Sequence, residues 1–143
     1  MQKLGLSGLP VTKLVGSYDL PEELIRKPHS PAFAQFLKYW FVETWPLTRG
    51  EVDLAFLQEL SPEELAAARQ RIRINLRTRH NHIIDGAAAL SDLDAVPLLR
   101  TMFDDELDES RRRIIGATLW RLTHDPLFRG CTEDRTWSRP FER

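Results

Sequence analysis

The chain has 143 residues, a hydrophobic fraction of 42% and a charged fraction of 29%, which suits one soluble globular domain. Its 20 basic and 21 acidic residues give a net charge of −1, which argues against both a polycation built for nucleic acid and an acidic disordered tail. The single cysteine, Cys131, excludes an intramolecular disulfide. The sequence has no run of 18 apolar residues and no signal-peptide core, so we expect a cytoplasmic protein.

The first 30 residues are rich in glycine and proline, a composition typical of an extended, irregular arm. At most one short helix is predicted there, near Pro21–Arg26. A strand at Val11–Val15 is compatible with the sequence, but it requires a second strand to pair with.

Residues 32–45 carry aromatic side chains at helical spacing, with Phe33, Phe36 and Trp40 on one face. The pattern predicts an aromatic core helix that Pro46 ends. The alternative is a stacking platform or a groove for a partner, and base stacking on such a platform requires the rings to be exposed.

The segment 62–79 carries two conflicting patterns. Ser61 is a good N-cap, Pro62 suits the first helical position, and two glutamates follow at the positive end of the helix dipole. Five arginines further along alternate with other residues, which is a strand pattern. The cap and the apolar stripe from Leu65 to Leu76 outweigh this alternation, so we predict a helix.

Further helices are predicted over Glu51–Leu60, 82–91, 95–103 and 109–124. Residues 125–143 have few aliphatic side chains and are predicted to form a loosely packed tail, with Trp137 and Phe141 as candidate anchors. A shift of 29 residues aligns five identical residues over eleven positions, beginning with Ala88 and Ala117. Such a period is typical of an α-solenoid, in which stacked helical hairpins share one core.

One segment matches a known repeat pattern: a first helix that opens with Asp94–Leu99, an acidic turn, Arg112, and then the run Gly116–Leu122. This arrangement resembles a HEAT repeat of the short type first described in phycobilin lyases. The segment departs from the family pattern at Arg111, where valine is usual, and at Trp120, where glycine is usual.

The resemblance covers one good unit, about residues 95–124, and a degraded one, about residues 62–91. It implies an all-α fold, a short HEAT-like α-solenoid of stacked helical hairpins with an irregular N-terminal arm, and it implies little about function. We expect a single domain, 1–143, divided into the arm (1–30), an aromatic helical layer (31–60), the HEAT-like repeats (61–128) and a tail (129–143).

No residue pattern in the chain predicts a catalytic or a metal site. His80 and His82 would point to different faces of a helix, so they cannot chelate one metal well. Cys131 would need a base to act as a nucleophile, and only His124 is near it in sequence. The acidic run 104–109 does not place the glycine and glutamate that a calcium loop needs. We expect no cofactor, no metal and no enzymatic activity.

The acidic run 104–109 is predicted to be either a solvated turn or a protein-binding edge, with Asp108 and Arg112 paired one helical turn apart. Trp120 is the best candidate anchor for a partner, because a tryptophan at a usually small position either caps the stack or stands out. The chain is therefore predicted to be a non-catalytic protein-interaction module, as a monomer or a homodimer. The predicted partner-binding residues are Trp120, Arg113, Arg121, Asp104, Asp105, Glu106 and Glu109.

Two more specific functions follow from the resemblance. HEAT-like folds occur among small bacterial immunity proteins, which implies a role as the inhibitor of a toxin. HEAT-like alkylpurine DNA glycosylases hold a duplex in a basic groove, which implies the alternative of nucleic-acid binding. The arginines for that alternative are Arg69, Arg71, Arg73, Arg77 and Arg79.

The charges further along the chain weigh against nucleic acid. Residues 85–109 carry eight acidic residues and one basic residue, Arg100. Carboxylates repel a phosphate backbone, so this alternation of sign favours a protein partner or ion pairs between helical layers.

Overall fold

The computed structural model describes the backbone of residues 11–15, 18–21 and 30–132 and the side chains of residues 30–131. Two short strands, β1 (Val11–Val15) and β2 (Tyr18–Pro21), pair antiparallel. β2 is therefore the second strand that a strand at Val11–Val15 requires. This part of the arm, which was predicted to be irregular, forms a β-hairpin.

The other described elements are helical, as predicted from the sequence. They are α1 (Pro31–Leu37), a π-helical turn (Lys38–Val42), α2 (Trp45–Thr48), a 3₁₀ helix (Leu54–Glu59), α3 (Pro62–Asn75) with a 3₁₀ turn (Leu76–Thr78), α4 (Asn81–Ala89), a 3₁₀ turn (Leu93–Ala95), α5 (Val96–Asp105), α6 (Glu109–Thr123) and a final 3₁₀ helix (Pro126–Thr132). Strand β2 lies against α3.

The first helical layer is aromatic and buried, as its spacing predicts. Phe33, Phe36 and Trp40 are buried, and the rings of Phe36 and Trp40 stack with their centroids 5.4 Å apart. The helix differs from the prediction in its end, because a π-helical turn closes it at Val42. Pro46 instead lies at the start of the short helix α2, where a proline needs no backbone N–H.

Trp40 joins this layer to α4 through two hydrogen bonds. Its indole Nε1–H donates to the carbonyl oxygen of His82 at 3.2 Å, and His82 Nε2 donates to the Trp40 carbonyl oxygen at 3.1 Å. Gly86 lies one turn further along α4, directly beneath the indole. Burial lowers the pKa of His82 to about 4, although the Trp40 carbonyl opposes this shift, and the nearby His80 adds to it.

Helix α3 forms because its capping signals dominate the alternating arginines. Ser61 and Glu64 make a reciprocal capping box: the Ser61 hydroxyl accepts from the Glu64 backbone N–H, and the Glu64 carboxylate accepts from the Ser61 backbone N–H. The same carboxylate accepts from the hydroxyl and backbone N–H of Ser30. Glu64 therefore fixes the start of α1 to the start of α3.

The later helices pack around one core. Helix α4 contacts α3 and α6, and α5 contacts α6. A buried polar contact joins α4 and α6 within this core, where the Thr118 hydroxyl lies 3.1 Å from the Asp85 carboxylate and 3.0 Å from the Ile114 carbonyl oxygen. The fully buried aliphatic side chains that these helices share include Ile72, Ile83, Ile84, Leu99, Ile115 and Leu119.

The prediction of a loosely packed tail is wrong for residues 126–132. This final 3₁₀ helix packs along α6, and the ring of Phe128 is buried edge-on against Phe103, with centroids 5.1 Å apart. Gly116 makes this approach possible, because a β-carbon there would collide with Cys131. The candidate anchors Trp137 and Phe141 lie outside the described residues.

Gly86→Ala is expected to destabilise the protein by about 1–3 kcal/mol, because the added β-carbon would lie 2.7 Å from Trp40 Nε1 and 2.8 Å from Ile72 Cδ1. Alanine favours a helix over glycine by about 1 kcal/mol, which offsets part of this cost. Gly130→Ala is the matched control, since its β-carbon would meet nothing within 4 Å. Urea unfolding of both variants measures the difference, and equal midpoints would contradict the close packing at Gly86.

Candidate interaction surface

The arginines of α3 are mostly occupied inside the chain. Arg69 donates to the carbonyl oxygens of Leu90 and Ser91, and Arg71 is only 1% exposed. The other three arginines of the run are Arg73, which binds Asp92 at 2.7 Å, Arg79, which binds Glu106 at 2.8 Å, and Arg77, which is exposed.

These contacts explain the alternation of charge along the sequence. The arginines of the run 69–79 meet acceptors from the end of α4, from the turn after it and from the loop after α5. Positive and negative segments are therefore adjacent in space. A guanidinium that is held by a carboxylate in its own chain is less available to a phosphate.

Glu106 is the centre of an ion-pair network that fixes the connection between α5 and α6. Its two carboxylate oxygens contact Arg79 at 2.8 Å and Arg111 at 3.4 Å, and they accept from the backbone N–H of Asp108 at 3.2 Å. Burial raises the pKa of Glu106, but these hydrogen bonds and charges outweigh it and hold the pKa below its ordinary value. Glu106 is therefore a structural residue of the loop and is largely withdrawn from solvent.

Leu107 projects from this fixed loop and is 96% exposed. The residue after it, Asp108, caps α6 by accepting from the Ser110 backbone N–H at 3.2 Å. The backbone is thus held on both sides of Leu107. We define the acidic edge as Leu107 together with the exposed carboxylates around it, those of Asp104, Asp105, Asp108 and Glu109.

The predicted pair between Asp108 and Arg112 is not formed by their side chains. Arg112 instead stacks on the ring of Phe103, 4.0 Å from its centroid, and donates to the Phe103 carbonyl oxygen at 3.1 Å. The Asp108 carboxylate lies 4.0 Å from the guanidinium of Arg111 instead. Instead of pairing with each other, Asp108 caps α6 and Arg112 makes a cation–π contact.

Trp120 lies far from the acidic edge. It is twelve residues after Asp108 on the same helix, a rise of about 18 Å. The side chain is half-buried, with His124 edge-on at 5.3 Å and the Arg129 guanidinium 5.6 Å from the ring centroid. The predicted binding residues therefore form two groups: Asp104, Asp105, Glu106 and Glu109 at one end of α6, and Trp120 and Arg121 at the other, with Arg113 in the first half of the helix.

Leu107 and Trp45 are two of the exposed apolar side chains that the sequence did not reveal. Leu107 was overlooked because it stands inside an acidic run, where only the charges were weighed; an isolated leucine among five acidic residues is the signal that would have found it. Trp45 is 54% exposed beside Val42, and the Arg49 guanidinium lies 5.2 Å from its ring centroid. Of the other rings of this aromatic helix, Tyr39 is half-buried, and those of Phe33, Phe36, Trp40 and Phe41 are buried.

The thiol of Cys131 is half-buried beside Gly116, in a depression of about 190 Å³ that Arg112 and Arg113 also line. Among the described residues, no three His, Cys, Asp or Glu side chains lie close enough together to hold a metal ion.

Comparison of the chain with protein-family models, with curated proteins and with solved structures finds no match to any of them. Within the described residues, no helix is both long enough and apolar enough to cross a membrane.

Proposed function

We propose that this chain is a non-catalytic protein-interaction module that binds its partner through the acidic edge. The observation that carries the proposal is the 96% exposure of Leu107 on a loop that Glu106 fixes to Arg79 and Arg111. A large aliphatic side chain in water gains free energy when a partner buries it. Because the loop is already ordered, little conformational entropy is lost on binding.

The chemistry of the partner follows from the charges around Leu107. Four exposed carboxylates surround it, so the complementary surface is an apolar pocket with lysine or arginine side chains at its rim. Such charges act mainly on the rate of association and on specificity, while the central apolar anchor acts mainly on affinity. The partner is therefore a basic protein.

Within this proposal, the helical layers form a short HEAT-like stack, and the partner is the toxin domain that the chain neutralises in the cytoplasm. The helical hairpins α3–α4 and α5–α6, which pack side by side, support the first part. The resemblance of residues 95–124 to HEAT repeats, a fold that occurs among small bacterial immunity proteins, supports the second.

Nucleic-acid binding is the weaker alternative. It requires the arginines of α3 to face phosphates, whereas Arg69, Arg73 and Arg79 donate to acceptors within the chain. The acidic edge lies beside Arg79, at the same end of the helical stack, and it repels a phosphate backbone.

The proposal is tested by capture with paired variants. We expect the tagged wild-type chain to retain one stoichiometric partner after nuclease treatment, and Leu107→Lys to bind that purified partner at least about tenfold more weakly. Leu93→Lys is the control, because Leu93 is 64% exposed but lies in the turn before α5. Circular dichroism establishes that all three chains are equally helical.

Several outcomes would overturn the proposal. Equal affinity of the wild-type chain and Leu107→Lys would remove the acidic edge as the binding site. Loss of every captured molecule after nuclease treatment would favour the nucleic-acid alternative. A partner without toxic activity, when expressed alone in the host, would reject the immunity role while leaving protein binding intact.

A further inference from the structure

A groove of about 530 Å³ opens at the other end of the helical stack, where the 3₁₀ helix Leu54–Glu59 meets the first half of α3 and the end of α4. Its volume lies within the range of small-molecule sites. Polar and apolar groups share its walls about equally, and the apolar side chains are those of Leu54, Ala55, Leu57, Leu65, Ala88, Ala89 and Leu90.

The walls of the groove are held in place by hydrogen bonds. The Asp53 carboxylate accepts from the Ala55 backbone N–H at 3.0 Å, which fixes the start of the 3₁₀ helix. On the opposite wall, Arg69 Nε donates to the Leu90 carbonyl oxygen at 2.9 Å, and Nη2 donates to that of Ser91 at 3.4 Å. These bonds join α3 to the end of α4, so the groove is already formed without a ligand.

Arg69 also provides the cationic group of the groove. A guanidinium has five N–H donors, and the two bonds to Leu90 and Ser91 use one on Nε and one on Nη2. Within the described part of the chain, Nη1 has no acceptor recorded. Among the described residues that line the groove, the other ionisable side chain is that of Asp53, one oxygen of which accepts from the Ala55 backbone N–H.

We propose that this groove binds an aliphatic monocarboxylate, with the alkyl chain along the leucines and the carboxylate on Arg69. The planar guanidinium matches a carboxylate in shape and charge, and one cation suits one anionic group. The apolar walls gain free energy by covering an alkyl chain. The groove is separate from the acidic edge, since α3 places about 21 Å of helix between its first and last turns.

The test is titration of the whole chain with sodium octanoate, monitored by calorimetry and by the chemical shifts of the backbone amides. We expect one octanoate per chain and shifts confined to the groove. Arg69→Gln is expected to weaken octanoate binding about tenfold, because a charge-assisted hydrogen bond is lost. The same substitution should weaken binding of 1-octanol, which has the chain but no charge, much less than it weakens binding of octanoate.

Two further variants keep the test decisive if Arg69→Gln disturbs the end of α4. Ala55 is exposed on the groove wall, so Ala55→Trp should block octanoate without altering the core. Ala66→Trp, at an exposed position of α3 that does not line the groove, is the matched control. The proposal is overturned if octanoate does not bind, or if Ala55→Trp binds octanoate as the wild-type chain does. It is also overturned if the groove binds a peptide that contains leucine and glutamate but binds no octanoate.

Discussion

Trp40→Ala is expected to lower the free energy of unfolding by about 3–5 kcal/mol, the usual cost of removing a fully buried tryptophan. The side chain is 0% exposed, stacks on Phe36 and covers Gly86. Its loss also removes the indole donor to the buried His82 carbonyl oxygen. Urea unfolding, monitored by circular dichroism, measures the change, provided that the unfolding free energy of both proteins depends on urea concentration with the same slope.

Trp45→Ala is the matched control for this variant. Trp45 belongs to the same layer but is 54% exposed, and its recorded ring contact is the stacked Arg49 guanidinium. We expect a change of less than about 1 kcal/mol, the usual size of an exposed cation–π contact. Equal destabilisation by the two substitutions would contradict the assignment of Trp40 as the side chain that joins the first layer to α4.

Acidification is expected to destabilise the fold through His82. Its pKa in the folded chain is about 4, whereas an unfolded histidine has a pKa of about 6.5. The unfolded state therefore binds a proton first, and stability that is complete above about pH 6.5 is lost as the pH falls toward 4. The full shift corresponds to about 3 kcal/mol, since each pKa unit is worth 1.36 kcal/mol.

Between about pH 6.5 and 5, the titration of His82 is separated from those of Glu64 and Glu106, because the lowered pKa of each of these two carboxylates places its contribution at lower pH. We expect His82→Gln to flatten the dependence of unfolding free energy on pH in that range. His124→Gln, at an exposed histidine, serves as the control. An imidazole resonance of His82 that titrates near pH 6.5 in the folded protein would refute the expected shift.

The helices of the second half were predictable because their signals are local. Ser61, Pro62 and the glutamates after them specify the start of α3 within four residues, and the structure adds a reciprocal capping box between Ser61 and Glu64. The aromatic spacing of the first layer likewise predicted the burial of Phe33, Phe36 and Trp40, whereas Phe41, off that face, is buried as well. The π-helical turn that ends this layer at Val42 was not predictable, since it depends on how Trp40 packs against α4.

The functional groups were only partly predictable. The sequence identified the acidic run and the arginine run, but either run could have faced a partner. Pairing across helices set which of these charges are neutralised within the chain: Glu106 turns inward to Arg79 and Arg111, and Leu107 stays exposed between exposed carboxylates. The groove at Arg69 has no local signal, because its walls come from three separate segments, 53–58, 65–69 and 88–91.

By itself, the sequence determined the class of fold, the order and approximate limits of the main helices, and the burial of the aromatic layer. Caps, prolines and apolar periodicity act within a few residues, so short segments of sequence are sufficient to predict these features. Tertiary structure alone decided which charges are neutralised, which side chains remain in water, and where Cys131 and Phe128 pack against α6. The reason is physical: the cost of exposing or pairing a charged or apolar group depends on neighbours that only the folded chain brings together.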